Sequence, residues 1–312
     1  MEMLLQCGLL ALGFLMLVKG ADWFVDGAAG VADKLGVPQL VIGLTIVAMG
    51  TSAPEAAVSL TAALKGNADI ALGNVVGSNI LNVLIILGIV SVIIATPMSK
   101  KIIKIDLPFM LGITLLLMLL GYFGEDISRI DGAILLVFFI GYLTYLFIDA
   151  KKNGGSSDGE EEVNNKPIWQ LILIAVIGLV LIVLGSDFTV DAATKIATEL
   201  GMGTKFIGLT IVALGTSLPE LCTSVAAALK GKSDIAIGNI VGSNIFNILF
   251  ILGLSSVITP INFAPIFLID ALVAVAAGIL LWVAAFKNKK LTRPAGIIML
   301  LCYAGYFVYL LA

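Results

Sequence analysis

The chain has 312 residues, 60% of them hydrophobic and 12% charged, with a mean hydropathy of +1.11. Soluble domains carry about 25% charged residues, so this composition excludes one and points to an integral membrane protein. A net charge of −3 offers no basic face for nucleic acid, and the absence of histidine removes the commonest transition-metal ligand and the usual proton carrier near neutral pH.

The chain opens MEMLLQ, with an acid and no Lys or Arg, so its first apolar run is expected to be a retained helix and not a cleaved signal. A spanning helix needs about 20 mostly apolar residues. Ten such runs follow: 3–27, 39–64, 70–95, 106–121 and 131–149 in the first half, then 168–191, 205–229, 234–258, 265–286 and 294–312 in the second. Cys7, Cys222 and Cys302 all lie in these apolar stretches and read as small buried hydrophobes, not as a disulfide or metal set. The one long connection, 150–167 (AKKNGGSSDGEEEVNNKP with its flanks), is rich in Gly, Ser, Asn and acids and reads as a solvated hinge. Its DGEEE run lacks the spaced ligands and turn glycine of a calcium-binding EF-hand loop.

Internal repetition sets the architecture. Shifted by 165 residues, Gly36–Val92 aligns without gaps to Gly201–Val257, with 36 of 57 positions identical. The match extends weakly to GADWFVDGAA (20–29) and GSDFTVDAA (185–193). Five spans per copy is an odd number, so the two copies must be inverted. The expected fold is therefore an all-α membrane protein of ten transmembrane helices, arranged as two inverted five-helix repeats. Residues 1–149 form the first repeat, 150–167 the hinge and 168–312 the second repeat. Loops opposite the N-terminal side hold thirteen Lys and Arg residues, whereas those on its own side hold four, Lys65, Arg129, Lys195 and Lys205. By the positive-inside rule both termini are extracellular and the hinge is cytoplasmic, in a multi-pass cell-membrane protein.

The second and seventh spans carry a kernel that a lipid-facing helix would not: VAMGTSAPEAAVSL (47–60) and VALGTSLPELCTSV (212–225). Glu55 and Glu220 sit at mid-depth, where a charge costs about 3 kcal/mol. No basic residue stands nearby to compensate them. Lys19 is the closest, and it is expected to pair with Asp22 or to reach outward; its repeat counterpart is Leu184. The remaining partner is a bound cation. Thr51 and Ser52 stand four and three residues before Glu55 and can face one site with it. Pro54 cannot donate to the carbonyl of Gly50, so both spans are expected to be broken helices that free backbone oxygens, including those of Ala48 and Met49. The same holds for Ala213, Leu214, Thr216, Ser217, Pro219 and Glu220.

The third and eighth spans add GNVVGSNILN (73–82) and GNIVGSNIFN (238–247). Ser78, Asn82, Ser243 and Asn247 read as ion ligands. Asn74, Asn79, Asn239 and Asn244 are equally readable as ligands or as polar glue between helices. Gly73 with Gly77, and Gly238 with Gly242, form GxxxG pairs that let backbones approach closely. An all-oxygen set suits Ca2+ or Na+ and argues against zinc or copper. The repeated acids Asp22/Asp26 and Asp187/Asp191 lie near predicted helix ends, solvated or, alternatively, serving ion entry.

Both kernels, followed by their G-S-N…N segments, resemble the alpha-repeats of the sodium/calcium exchangers of the Ca2+/cation antiporter superfamily. The resemblance implies that Glu55 and Glu220 are central calcium ligands that also serve sodium. It implies that Thr51, Thr216 and the carbonyls of Ala48 and Ala213 share this work, and that Ser52, Ser217, Ser78 and Ser243 line flanking sodium sites. Members can carry an acid at one of the positions matching Asn82 and Asn247; here both are Asn, which makes the site nearly symmetric. The implied activity is antiport of Ca2+ against Na+ by alternating access, the first and sixth helices sliding past the rest. A Ca2+/H+ antiporter is the alternative, since a carboxylate can trade a metal for a proton. No cofactor beyond the transported ions and no obligatory protein partner is expected; the bilayer is the surrounding partner. A channel suits inverted halves less well, and an enzyme lacks any nucleophile, base and orienting set.

Overall fold

A computed structural model describes residues 2–153, 166–201 and 213–311. The first half holds α1 (Glu2–Leu35), α2 (Gln39–Thr51), α3 (Ala53–Leu64), α4 (Ala68–Ile93), α5 (Ile102–Gly124) and α6 (Arg129–Asn153). The second holds α7 (Ile168–Glu199), α8 (Ala213–Thr216), α9 (Leu218–Leu229), α10 (Ser233–Ile258), α11 (Ile266–Asn288) and α12 (Arg293–Leu311). Among the described residues eight helices are long and apolar enough to cross a bilayer, and α2 with α3 forms a further span bent by 52°. The remaining expected span, 205–229, begins outside the described residues and continues as α8 and α9. Most of the hinge, 154–165, also lies outside them.

Matching residues stop matching helices. Gly36, Gly66, Gly201 and Gly231 all adopt a left-handed φ of +62° to +79°, just past the ends of α1, α3, α7 and α9. Glycine takes this conformation without a Cβ clash and closes the last turn.

Four two-residue strands tie the two halves at the membrane surfaces. β1 (Thr96–Pro97) pairs with β4 (Lys290–Leu291), and β2 (Asp126–Ile127) pairs with β3 (Ile261–Asn262), both antiparallel. Each pair joins a loop of one repeat to a loop of the other, so the two loops of a pair must share a side of the membrane. Arg129 reaches the carbonyl of Ile258 (3.4 Å) on one side, as Arg293 reaches that of Ile93 (3.3 Å) on the other. This is the two-fold that inverted repeats require.

The repeats place α4 and α10 at the centre. The most apolar stretch of α10 is 94% buried within the protein and that of α4 is 72% buried, against 22% for α1, α6 and α7 and 17% for α12. Polar side chains on α4 and α10 are therefore sheltered from lipid, which is the condition for keeping them at mid-membrane. Close approach around α10 depends on small residues: a Cβ on Gly242 would lie 2.6 Å from the carbonyl oxygen of Leu44 on α2. The segment that would answer Gly73 and Gly77 in this way falls in 202–212, outside the described residues.

Two expectations need correction. α1 continues to Leu35 and α7 to Glu199, so Asp22, Asp26, Asp187 and Asp191 lie within helices and not near their ends. Nor is Lys19 the partner of Asp22: Lys19 is exposed, and Lys230 takes both Asp22 (3.3 Å) and Asp26 (2.9 Å). The longer helices are explained by their apolar and alanine-rich continuations, which keep helical propensity past the hydrocarbon edge.

Candidate ion-binding site

The helix break comes at Ser52, whose φ of −81° and ψ of 9° leave the helical region between α2 and α3. Ser217 does the same with −89° and 2° between α8 and α9. Pro54 and Pro219 then fall in the first turn of the following helix, where a missing N–H costs nothing. Glu55 and Glu220 follow directly, also in the first turn. Their carboxylates thus sit at the positive ends of α3 and α9, which favour an anion. Each is buried, 1% and 0% exposed.

Four elements bring their side chains together across the two repeats. The Ser52 hydroxyl donates to Glu220 Oε1 at 2.7 Å, and Ser243 reaches the same oxygen at 3.5 Å. Ser243 also lies 3.4 Å from the carbonyl oxygen of Ala48. Thr51, fully buried, places its hydroxyl within 3.0 Å of Asn239 Oδ1, 3.1 Å of the Val47 carbonyl and 3.3 Å of the Ala48 carbonyl. Ser217 neighbours Glu55, and the two glutamates are close enough to repel one another. Ser78 (3% exposed), Asn82 (1%) and Asn247 (0%) complete the buried polar set. Among the described residues, Ser78 and Thr216 make no hydrogen bond to either carboxylate; Thr216 is half-buried at the end of α8. For Ala213 only its place at the start of α8 is described.

The expectation that the break frees the Ala48 carbonyl needs correction. That oxygen keeps its helical bond from the Ser52 amide at 3.0 Å and turns only its second lone pair toward Ser243 and Thr51.

Asn74 and Asn239 are resolved as glue. Asn74 donates to Ser59 Oγ (3.0 Å) and the Glu55 carbonyl (3.3 Å); Asn239 donates to Ser224 Oγ (3.0 Å) and the Glu220 carbonyl (3.4 Å). Each pins the second half of a broken helix to a central helix. Asn79 and Asn244 hydrogen-bond across the repeats. Periodicity could not separate these roles, because amides at helical spacing look alike in sequence.

The arrangement leaves a particular set of atoms unpaired. Glu55 Oε2, Glu220 Oε2, Asn82 Oδ1, Asn247 Oδ1 and the hydroxyls of Ser217 and Thr223 are buried with no hydrogen-bond partner among the described residues. Buried polar atoms are otherwise almost always paired, and an unpaired one costs about 1–3 kcal/mol. Four of the six are carboxylate or amide oxygens that can only accept, which is what a hard cation seeks. Thr223 escapes detection by repetition, since its counterpart is the exposed Val58. Among the described residues no group of three or more His, Cys, Asp or Glu gathers, so the oxygens here come from two carboxylates with amides and hydroxyls.

A family model described as sodium/calcium exchanger protein matches residues 5–148 and 170–312. The inner membrane protein YrbG of Escherichia coli is 35% identical over 322 aligned positions, covering 99% of this chain and 96% of its own. The sodium/calcium exchanger MaX1 of Methanosarcina acetivorans is 34% identical over 346 positions, covering 97% of each. Among solved structures, the sodium-calcium exchanger NCX_Mj matches with a TM-score of 0.85 at 34% identity, over 98% of this chain and 99% of that one.

Proposed function

The chain belongs to the sodium/calcium exchanger family, a family of multi-pass membrane transporters, and from that premise we propose that it exchanges Ca2+ for Na+ by alternating access. The observation that carries the reading is that buried oxygens of Glu55, Glu220, Asn82 and Asn247 have no hydrogen-bond partner among the described residues. Two carboxylates neutralise one Ca2+, and amide, hydroxyl and main-chain oxygens complete the six to eight ligands it takes. Thr51, Thr216, Ser52, Ser217, Ser78, Ser243 and the carbonyls of Ala48 and Ala213 supply the rest. Na+ accepts the same oxygens, so the two ions compete for one cluster. Helix starts aimed at a midplane site between inverted repeats are the plan on which such carriers work.

The same proposal takes residues 1–149 and 168–312 as the two repeats and 150–167 as a cytoplasmic hinge, in the cell membrane with both termini outside. It is supported by the bias of Lys and Arg and by the strand pairs, which put Thr96 with Leu291 and Asp126 with Asn262.

Proteoliposomes test it. An outward Na+ gradient should drive uptake of radioactive Ca2+, and a pH gradient at equal Na+ should not. Uptake driven by the pH gradient alone would replace Na+ with H+ as the coupling ion. Uptake driven by neither would end the antiport reading.

A further inference from the structure

Resting on that functional reading, we propose that Asn79 and Asn244 are positioning residues, each fixing which way the site amide of the opposite repeat points. A carboxamide has two faces of opposite character, one that donates two hydrogens and one that only accepts. A cation site needs the accepting face. Nothing about the shape of Asn82 or Asn247 alone decides which face it presents.

Main-chain carbonyls decide it. Asn79 Nδ2 donates to the carbonyl oxygen of Asn244 at 3.2 Å, and a carbonyl can only accept, so the NH2 of Asn79 must lie on that side. Its Oδ1 therefore faces the other way, where Asn247 Nδ2 donates to it at 3.0 Å. That bond in turn leaves Asn247 Oδ1 as the outward face, buried and unpaired. The second relay is the mirror of the first. Asn244 Nδ2 donates to the carbonyl of Asn79 at 3.3 Å, Asn82 Nδ2 donates to Asn244 Oδ1 at 2.9 Å, and Asn82 Oδ1 is left buried and unpaired. All four side chains are nearly or fully buried, at 5%, 1%, 3% and 0% exposed in chain order, so water cannot substitute for a missing partner.

Both relays run crosswise, from the main chain of one repeat through the relay asparagine of the other and back to the site amide. The S-N-x-x-N spacing places relay and site residues on adjoining faces of one helix, and a π-turn begins at each site amide, over Asn82–Ile86 and Asn247–Leu252. Such a widened turn is a recurrent device at functional positions. Without its relay an amide is free to flip and to turn NH2 toward the ion.

Equilibrium binding of radioactive Ca2+ to the purified full chain in detergent tests this, with Na+ competition as a second readout. Asn79→Ala should weaken Ca2+ binding about tenfold, the lower end of what orienting partners of metal ligands contribute. Because Asn79 acts through Asn247, the Asn79→Ala/Asn247→Ala double variant should bind as Asn247→Ala does, within about twofold, and this non-additivity is the signature that general loosening would not produce. The unlinked pair Asn79→Ala/Asn82→Ala should multiply its single effects. An unchanged affinity in Asn79→Ala, or multiplying effects in the linked pair, overturns the proposal while leaving the antiport reading intact. Should Asn79→Ala not fold, Asn244→Ala with Asn82→Ala decides by the same criterion. A wild-type protein that binds neither Ca2+ nor Na+ overturns both readings.

Discussion

Where α4 and α10 meet, and where each anchors its broken helix, the two repeats make the same contacts twice, whereas around the glutamates and at the edges one repeat makes contacts that the other lacks. The bonds Asn74 to Ser59 and Asn239 to Ser224 are both 3.0 Å, and the four amide bonds between α4 and α10 match in pairs within 0.1 Å. At the edge, Lys230 at the end of α9 holds Asp22 and Asp26 on α1. Its counterpart Lys65 at the end of α3 is exposed, and among the described residues it makes no ion pair with the counterpart acids Asp187 and Asp191 on α7. Packing follows suit: α1 lies along α9, while the matching contact of α7 with α3 is far sparser. α1 and α7 pack on each other along their lengths, with Gly20 against the Gly178 carbonyl, and so form one body. Inverted repeats change access by exchanging the conformations of their halves. The matched contacts of α4 and α10 can serve as the fixed axis of that exchange, and the unequal contacts around them distinguish its two states.

The largest expected effect would break the equivalence at the centre. Glu55→Gln and Glu220→Gln should each lower Na+-driven Ca2+ uptake about a hundredfold, because each removes half of the charge that offsets a divalent ion at mid-membrane, worth about 3 kcal/mol. Losses of similar size are expected because each variant removes one of the two charges, although Ser52 and Ser243 reach Glu220 alone. A variant that keeps wild-type uptake removes its glutamate from the site.

A smaller effect should sharpen the contrast at the edges. In a background lacking Cys7, Cys222 and Cys302, cysteines replacing Lys65 and Asp187 should cross-link only in the exchanged state. Adding Lys230→Ala removes the ion pairs that hold the present state. Partly exposed pairs of this kind contribute about 1 kcal/mol at most, so the initial cross-linking rate should rise by up to about fivefold. A rate that falls or stays level would show that Lys230 does not hold α1 in place.

The part of this arrangement that could be read from the chain is the part that repeats in register. The break, the two glutamates, the serines and the site asparagines all recur at a shift of 165 residues, and each carries its chemistry within a few residues of sequence. The Lys230 contact was out of reach for a different reason. Lys65 and Lys230 both recur, as do the acid pairs, but only Lys230 makes the contact, and its partner Asp26 lies on the other repeat, 204 residues away in the chain. Another pairing was hidden by a slip of frame. Tyr142 donates to Asp106 at 3.2 Å and Tyr306 donates to Asp270 at 2.7 Å, a repeat at a shift of 164 and not 165. The first copy has one extra residue between β1 and Asp106. A π-turn over Ile102–Asp106 absorbs it, since such a turn holds one residue more than an α-turn, whereas α11 starts as plain α-helix. The insertion that spoiled the alignment is the one the helix widens to accommodate, which keeps the aspartate opposite its tyrosine.

This last pair yields the smallest prediction and the finest contrast between the repeats. The two bonds are chemically identical but differently housed. Asp106 is fully buried and its Oδ2 lacks a hydrogen-bond partner among the described residues, whereas Asp270 is half-buried and stands only four residues after the first residue of α11, near enough to the helix end for solvent to approach. Tyr142→Phe therefore removes the one hydroxyl that Asp106 accepts from and leaves nothing to replace it. Tyr306→Phe removes a bond that solvent can restore. Interhelical hydrogen bonds in membrane proteins contribute about 0.6 kcal/mol on average. For a chain of this size that corresponds to about 1–2 °C in the unfolding midpoint. Thermal unfolding in detergent should show Tyr142→Phe lowered by that amount and Tyr306→Phe by less. Equal shifts, or the reverse order, would mean that Asp106 finds another partner when its tyrosine is lost, and that the two repeats are as alike at this edge as they are at the centre.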